Sequence, residues 1–305
     1  MKAGSSTSAS TRAPARPSTR AAKAAPGSTA LRSFWRAAAR LVVLLLLSTL
    51  ALQLFFVARV ALMRVVDPQS TTFQRSEAWR LLTERHQLLW SQQWVGYAHI
   101  ATPLKRAVIA SEDAGFSDHS GVEWDALEKA WERNQKAEAR VDRINSQLDR
   151  REAQKLASKA QHPTAAKTTP TTPTAAPPAR AQAKVVGGST ITQQLAKNLF
   201  LGGERHLLRK AQEFAITFAL EALLPKQRIL EIYLNNVEWG EGVFGAEAAS
   251  RHYFRTGAKA LGASQAAQLA VMLPAPKRFE KRPGSPYVIG RAATVVARMG
   301  AVEVP

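Results

Sequence analysis

The chain of 305 residues contains no cysteine. It therefore has no disulfide framework, no thiolate zinc site and no cysteine nucleophile, although an exported protein can also simply avoid thiols. Acids are scarce as well: 23 Asp plus Glu stand against 42 Lys plus Arg, a formal charge of +19. The imbalance is sharpest at the start, where residues 1–40 hold eight basic residues and no acid. A basic tail directly before an apolar segment is the pattern of a cytoplasmic flank, so the charge alone does not point to nucleic acid, and no nucleic-acid partner is expected. No Rossmann or P-loop glycine pattern and no internal repeat is present, and period-two alternation is hard to find. With 46% hydrophobic residues the chain can still bury a sizeable core, and the periodicity left is helical.

Residues 41–58 are eighteen in number and carry no charge. At 1.5 Å rise they cover about 27 Å, which snorkelling by Arg40 and Arg59 extends to the roughly 30 Å of a hydrocarbon core. A cleaved signal peptide would need a shorter basic region and a small-residue cleavage site, and a buried core helix would not be apolar on every face. The spacing predicts a disordered basic tail over 1–38, a single transmembrane anchor over 39–66 with the N-terminus cytoplasmic, and a mainly α extracytoplasmic domain over 67–305. Within that domain residues 160–184 hold five prolines and six threonines, the composition of a flexible or polyproline-like spacer. The mixed-charge stretch before it reads as a solvent-exposed helix. Helical steps of three and four link Leu207, Ala211, Phe214, Phe218 and Ala222, and also Ile229, Ile232 and Tyr233.

Four segments carry more polar detail than packing requires. In the first, Glu112 and Asp113 are adjacent, followed by Phe116, His119 and Gly121; neighbouring carboxylates repel, so one can be held while the other keeps a raised pKa and accepts a proton. A polar turn ending a helix fits this segment equally well. The second runs from Gly187 to Asn198 and places Ser189, Thr190, Thr192, Gln193 and Gln194 at a helix start, with Lys197 about one turn further on; Thr190 and Gln193 form a capping-box pattern. The third, from Arg205 to Glu213, sets Arg209, Lys210 and Glu213 on one helix face, either a surface salt bridge or a grip for a diphosphate. The fourth, from Lys226 to Asn236 and on through Gly240, Gly242 and Gly245, reads mainly as core helix and tight loop.

Together the pieces EDxxFxxHxG, GGSTITQQxxKN, RKxxE and ILExYLN, in this order, resemble the peptidoglycan glycosyltransferases of glycosyltransferase family 51, over about residues 90–300. The resemblance implies a lysozyme-like glycosyltransferase domain that polymerises lipid II into β-1,4-linked glycan with release of undecaprenyl diphosphate and inversion at the donor carbon. It implies Glu112 as general base and Glu213 as a second catalytic residue that assists departure of the leaving group. Lys197 and Arg205 would bind the diphosphate with Arg209 and Lys210 nearby, while Asp113, Phe116, His119, Ser189, Thr190, Gln193, Gln194 and Asn198 bind substrate. No cofactor is obligate; a divalent cation, Mg or Mn, beside Glu213 is the one candidate. Membrane lipid and cell-division or elongation proteins are the implied partners, and a bacterial inner membrane with a periplasmic catalytic domain the implied location. The short stretch after Met299 leads to the expectation of a monofunctional enzyme without transpeptidase activity. The 65 residues between Gly121 and Gly187 exceed the family interval, so residues 135–184 read as an inserted helix and spacer. A lysozyme-like hydrolase and a membrane-anchored scaffold are the competing readings; the first has little use for a diphosphate clamp, and the second would not need Glu112 or Glu213.

Overall fold

A computed structural model describes residues 27–161, 188–202 and 207–305. Residues 1–26, residues 162–187, which include most of the expected spacer, and residues 203–206, which include Arg205, lie outside the described residues. The chain divides into two units, Met1–Leu54 and Phe55–Pro305.

The uncharged residues 41–58 are rich in Leu, a strong helix former, and form the middle of helix α1 (Gly27–Leu62), where the Thr49 hydroxyl donates back to the Leu45 carbonyl at 2.8 Å. The helix starts well before residue 39, so the expected disorder over 1–38 does not extend to 27–38: Ala30, Leu31 and Ala37 to Ala39 are strong helix formers, and extending an existing helix needs no new nucleus. The stretch Arg32–Leu62 is long and apolar enough to cross a membrane, and none of its apolar window is buried within the protein.

In the second unit α2 (Thr72–Arg80) leads to β1 (Ser91–Gln92), α3 (Thr102–Glu112), α4 (Trp124–Gln161), α5 (Ile191–Phe200), α6 (Leu207–Leu223) and α7 (Lys226–Asn236). Then come β2 (Glu238–Gly240), β3 (Val243–Phe244), α8 (Ala246–Phe254), α9 (Ala263–Met272), α10 (Pro276–Phe279) and α11 (Pro286–Arg298). The fold is mainly α, as the periodicity predicts. The small sheet has the order β1-β3-β2, with β1 parallel to β3 through Ser91 opposite Val243 and β2 antiparallel to β3. Strands this short leave no alternation to read in a sequence. Gly242 makes the β2–β3 turn possible: its φ is 74°, and a Cβ there would stand 2.0 Å from the Leu89 carbonyl oxygen.

The core joins α3 to α9 and α11 through Leu104, Ala107, Val108, Ala266, Leu269, Ala270 and Val288, all buried. The alanines on α9 permit close helix approach. A second layer packs α5 against α6 and α7 through Leu195, Leu199, Ile216, Leu220 and Ile229. Phe56 meets the Phe200 ring edge-on at 5.3 Å, and the Arg59 guanidinium lies 5.1 Å from the same ring, so the base of α1 rests on the end of α5.

Two elements differ from the sequence pattern in an informative way. On α6 the apolar spacing through Phe214 and Phe218 predicts the packed face, yet Phe218 is 47% exposed while Glu213, Ile216, Thr217 and Leu220 are buried. The helix is turned so that Glu213 faces α5, and Phe214 stacks instead against Trp124 and Phe218 on the outside. On α4 the start is tightly held, because a Cβ on Gly188 would come within 3.1 Å of Ala130 and 3.3 Å of the Ala126 carbonyl oxygen. From Trp131 to Gln154 the side chains are exposed or half-buried, as the mixed charge of the stretch predicts.

Candidate active site

The first two motif segments are bound to each other by their buried polar groups. Thr190 closes a capping box at the start of α5: its hydroxyl accepts from Gln193 N–H at 3.2 Å, and Gln193 Oε1 accepts from Thr190 N–H at 3.2 Å. The Thr190 hydroxyl in turn donates to the Gly121 carbonyl at 2.6 Å. Asp113 adds a second cap, with Oδ2 accepting the Ile191 N–H at 3.0 Å and Oδ1 held at 2.8 Å from His119 Nε2. Gly121 N–H donates to His119 Nδ1 at 3.1 Å, which leaves the proton on Nε2, pointing at Asp113. Only glycine fits at 121, where φ is 87° and a Cβ would lie 2.7 Å from Thr217 Cγ2.

This arrangement takes three residues of the expected substrate-binding set into the scaffold. Phe116 is fully buried, with the Lys226 ammonium 4.5 Å from its ring centre, and His119 and Gln193 direct their polar atoms into the scaffold. None of the three lines the cavity beside Glu112 or the one beside Lys197. An aromatic or an imidazole in a motif reads as ligand-facing, but here each fixes the loop that presents Glu112. Lys226, placed by the sequence in a structural segment, completes that scaffold: it donates to the His119 carbonyl at 2.6 Å and to Glu221 Oε1 at 2.9 Å, and Glu221 accepts from Thr192 at 2.5 Å.

Glu112 ends α3 and is half-buried. Its Oε2 accepts from Gln194 Nε2 at 2.9 Å, and Gln194 Oε1 accepts from the Tyr233 hydroxyl at 2.9 Å. Burial raises the Glu112 pKa and the adjacent Asp113 raises it further, while the Gln194 hydrogen bond acts the other way. Burial, with the negative charges of Glu112 and Asp113, drives the Tyr233 pKa well above its ordinary value, so the phenol remains a donor to Gln194. Tyr233 belongs to a helical apolar pattern, and nothing in that pattern marks it as part of a polar relay.

Glu112, Asp113, Ser189 and Thr190 line a cavity of about 170 Å³. Gln194, Lys197, Asn198 and Arg209 line a larger one of about 490 Å³. Gln194 thus connects the acid of one cavity to the cations of the other. Lys197 is open to the larger cavity but surrounded by protein; burial lowers its pKa, Arg209 and Lys210 lower it further, and Glu213 opposes them. Glu213 is 4% exposed, paired with Lys210 and 3.5 Å from Arg209 Nη1. Arg205 lies outside the described residues. Among the described residues no group of three or more His, Asp or Glu side chains converges on a cation position, and the Glu213 oxygens already face cations, so these residues alone do not fit a divalent ion. A carboxyl with a raised pKa beside a cationic cavity can take up a proton while an anionic group is held a short distance away.

Known proteins share these segments. A sequence model of the family described as Transglycosylase matches residues 83–166 and 168–300. The chain is 44% identical over 257 residues to a biosynthetic peptidoglycan transglycosylase of Paraburkholderia xenovorans (strain LB400), covering 84% of this chain and 88% of that protein. It is 42% identical over 281 residues to a protein of the same description from Bordetella pertussis (strain Tohama I / ATCC BAA-589 / NCTC 13251), covering 92% of this chain and all of that one. With a mainly α, lysozyme-like domain, a match across most of the chain and relatives of this closeness, the chain belongs to the transglycosylase family and is a glycosyltransferase of peptidoglycan biosynthesis.

Proposed function

We propose that the chain polymerises lipid II into β-1,4-linked glycan with inversion, Glu112 acting as general base. The 4-hydroxyl of the acceptor N-acetylglucosamine gives its proton to Glu112 as its oxygen bonds to C1 of the donor N-acetylmuramic acid. The bond from C1 to the diphosphate oxygen breaks, and undecaprenyl diphosphate leaves. Burial serves the first half of this step, because a carboxylate with a raised pKa is a better proton acceptor than an exposed one. The cations serve the second half: Lys197 and Arg209 lie in the larger cavity, where they stabilise the charge of the departing diphosphate. Glu213 holds Lys210 and draws Arg209 into place, which makes it a positioning residue for those cations. Arg205 joins this set by its position in the motif. The mechanism requires no cofactor and routes no step through a metal, and the activity assigned is polymerisation without peptide cross-linking. A hydrolase would need no cationic cavity.

The observation that carries this reading is the hydrogen bond from Gln194 to Glu112, which joins the candidate base to the cation-lined cavity. α1 supplies a single-pass anchor in a bacterial inner membrane, with the basic tail cytoplasmic and the second unit periplasmic. Substrate and product are both lipid-linked, so an anchored enzyme shares their layer and meets them at high effective concentration. Cell-division or elongation proteins are the partners this reading implies, and no residue is assigned to them. The test is to incubate the detergent-solubilised chain with labelled lipid II and separate the products on a gel: a ladder of lysozyme-sensitive glycan supports the reading, and unreacted lipid II under several detergent conditions removes it.

A further inference from the structure

The smaller cavity contains a cation that the chemistry above leaves unused. Glu112, Asp113 and Ser189 share it with Ala126 and Arg133 of α4. Helix geometry brings Arg133 there, because Ala126, Ala130 and Arg133 follow one another at steps of four and three and so lie on one face. Gly188 fixes where that face points: a Cβ on it would come within 3.1 Å of the Ala130 Cβ and 3.3 Å of the Ala126 carbonyl oxygen. Arg133 stands about one turn further along the same face, over the cavity that Ser189 and Glu112 line. The residue is exposed, so its guanidinium is open to a ligand entering from solvent.

The acids of the cavity do not take up this cation. Asp113 is held by His119 and the Ile191 N–H, Glu112 accepts from Gln194, and the Glu123 carboxyl lies against Gly115, 3.9 Å from where a Cβ would be. Arg133 Nε donates to the Lys129 carbonyl at 3.1 Å, one turn back in its own helix, and its two Nη groups have no partner among the described residues. Lys136, one turn on, shows the ordinary state of a surface charge: its side chain is 78% exposed and paired with Glu132 at 3.3 Å. A guanidinium tethered through Nε, with both Nη groups at a cavity, is a fork suited to two oxygens of one anion.

We propose that Arg133 is a substrate-binding residue on the acceptor side: its Nη groups donate to an oxyanion of the lipid II molecule whose hydroxyl Glu112 deprotonates. This rests on the polymerase reading. Lys197 and Arg209 hold the diphosphate of the donor in the larger cavity, so the cation beside the base is left for the other substrate. The reacting N-acetylglucosamine is uncharged, and the oxyanion therefore comes from further along the acceptor, as a phosphate oxygen of its diphosphate or a carboxylate of its peptide. Both offer the same chemistry to the fork, and acceptors with and without the peptide tell them apart.

The test reads single couplings by the full chain in detergent. A lipid II analogue without the 4-hydroxyl can act only as donor; in excess over labelled lipid II it yields a labelled tetrasaccharide that cannot grow, and varying the labelled lipid II gives a KM for the acceptor alone. Varying the analogue at fixed acceptor gives the KM of the donor. Arg133→Gln is expected to raise the acceptor KM about tenfold or more, the worth of hydrogen bonds between charged groups, with kcat within a few-fold and the donor KM unchanged. Arg133→Lys keeps the charge without the fork and is expected to fall between. On an acceptor stripped of its peptide the rise persists if the diphosphate supplies the oxyanion and disappears if a peptide carboxylate does. An unchanged acceptor KM in the Gln variant, an equal rise for the donor, or a loss confined to kcat overturns the proposal while the polymerase reading stands on the activity of wild type. If wild type forms no coupled product, the polymerase reading falls, and the acceptor contact with it.

Discussion

Glu112 is subject to opposing influences that separate mutations can isolate. Burial and the Asp113 charge raise its pKa, and the Gln194 amide, by hydrogen-bonding the ionised form, lowers it. Replacing Gln194 by Leu removes the one lowering influence, so the acidic limb of kcat/KM moves to higher pH; a limb that stays in place in the pH profile detaches Gln194 from the base. Glu238 gives a stability counterpart. Its pKa of about 7 in the fold exceeds the ordinary 4.5 through burial and the nearby Glu77 and Glu280, with Lys277 opposing. Between those values the folded chain holds a proton that the unfolded chain has lost, so the stability associated with this group is present below pH 4.5 and is lost as pH rises through 7. Glu238→Gln should therefore melt at higher temperature than wild type at pH 8, with the gap closing as pH falls toward 4.5. A gap independent of pH in thermal unfolding contradicts the assignment. The sequence displays Glu112 openly, because adjacent carboxylates at a helix end stand out. It conceals Tyr233 and Glu238, whose roles depend on which way a buried side chain points.

At the scale of elements the site rests on the start of α5, which carries Gln194, Lys197 and Asn198. Asp113 accepts from both Ile191 N–H and His119 Nε2. An amide at 113 would present its NH₂ group to one of those two donors, so Asp113→Asn should cost about 1–3 kcal/mol of stability in urea denaturation. Activity should fall with it, through misplacement of Gln194; unchanged stability would make the Asp113 cap dispensable. The inserted stretch is the opposite case. Among the described residues the beginning of α4, at Ala126 and Ala130, meets Gly188, and this lies before residue 135. Joining residues 134 and 185 through a short linker is expected to keep polymerisation within a few-fold of wild type, because loops tolerate changes of length well. Loss of activity in a folded deletion would give the insertion a role in the reaction.

The same elements show what a sequence pattern can carry. The α5 cap was legible because Thr190 and Gln193 stand three apart before an apolar run, a local rule. The orientation of α6 was not, because Phe214 and Phe218 make an apolar face that belongs to the exterior stack with Trp124, while Glu213 is taken inward by the site. Phe116 and His119 stand in the motif but lie behind the loop that carries Glu112, since a motif does not distinguish a group that touches a ligand from one that fixes the loop behind it.

Across the whole molecule, the scarcity of acid near the N-terminus, the apolar α1 and the cation-lined cavity are what the proposed function asks for, which takes an anionic lipid-linked sugar as substrate. The base of α1 packs on Phe200 at the end of α5, so the apolar helix and the helix that carries Gln194 and Lys197 share a contact. The central claim is that Glu112, joined through Gln194 to the cationic cavity, takes the proton of the attacking hydroxyl. It is tested most directly by the steady-state kinetics of wild type and Glu112→Gln on lipid II in detergent. The account predicts a kcat lower by about 10²–10⁴-fold in the variant with KM changed only a few-fold, the signature of a lost general base. Wild-type kcat in Glu112→Gln would contradict it and place the base elsewhere.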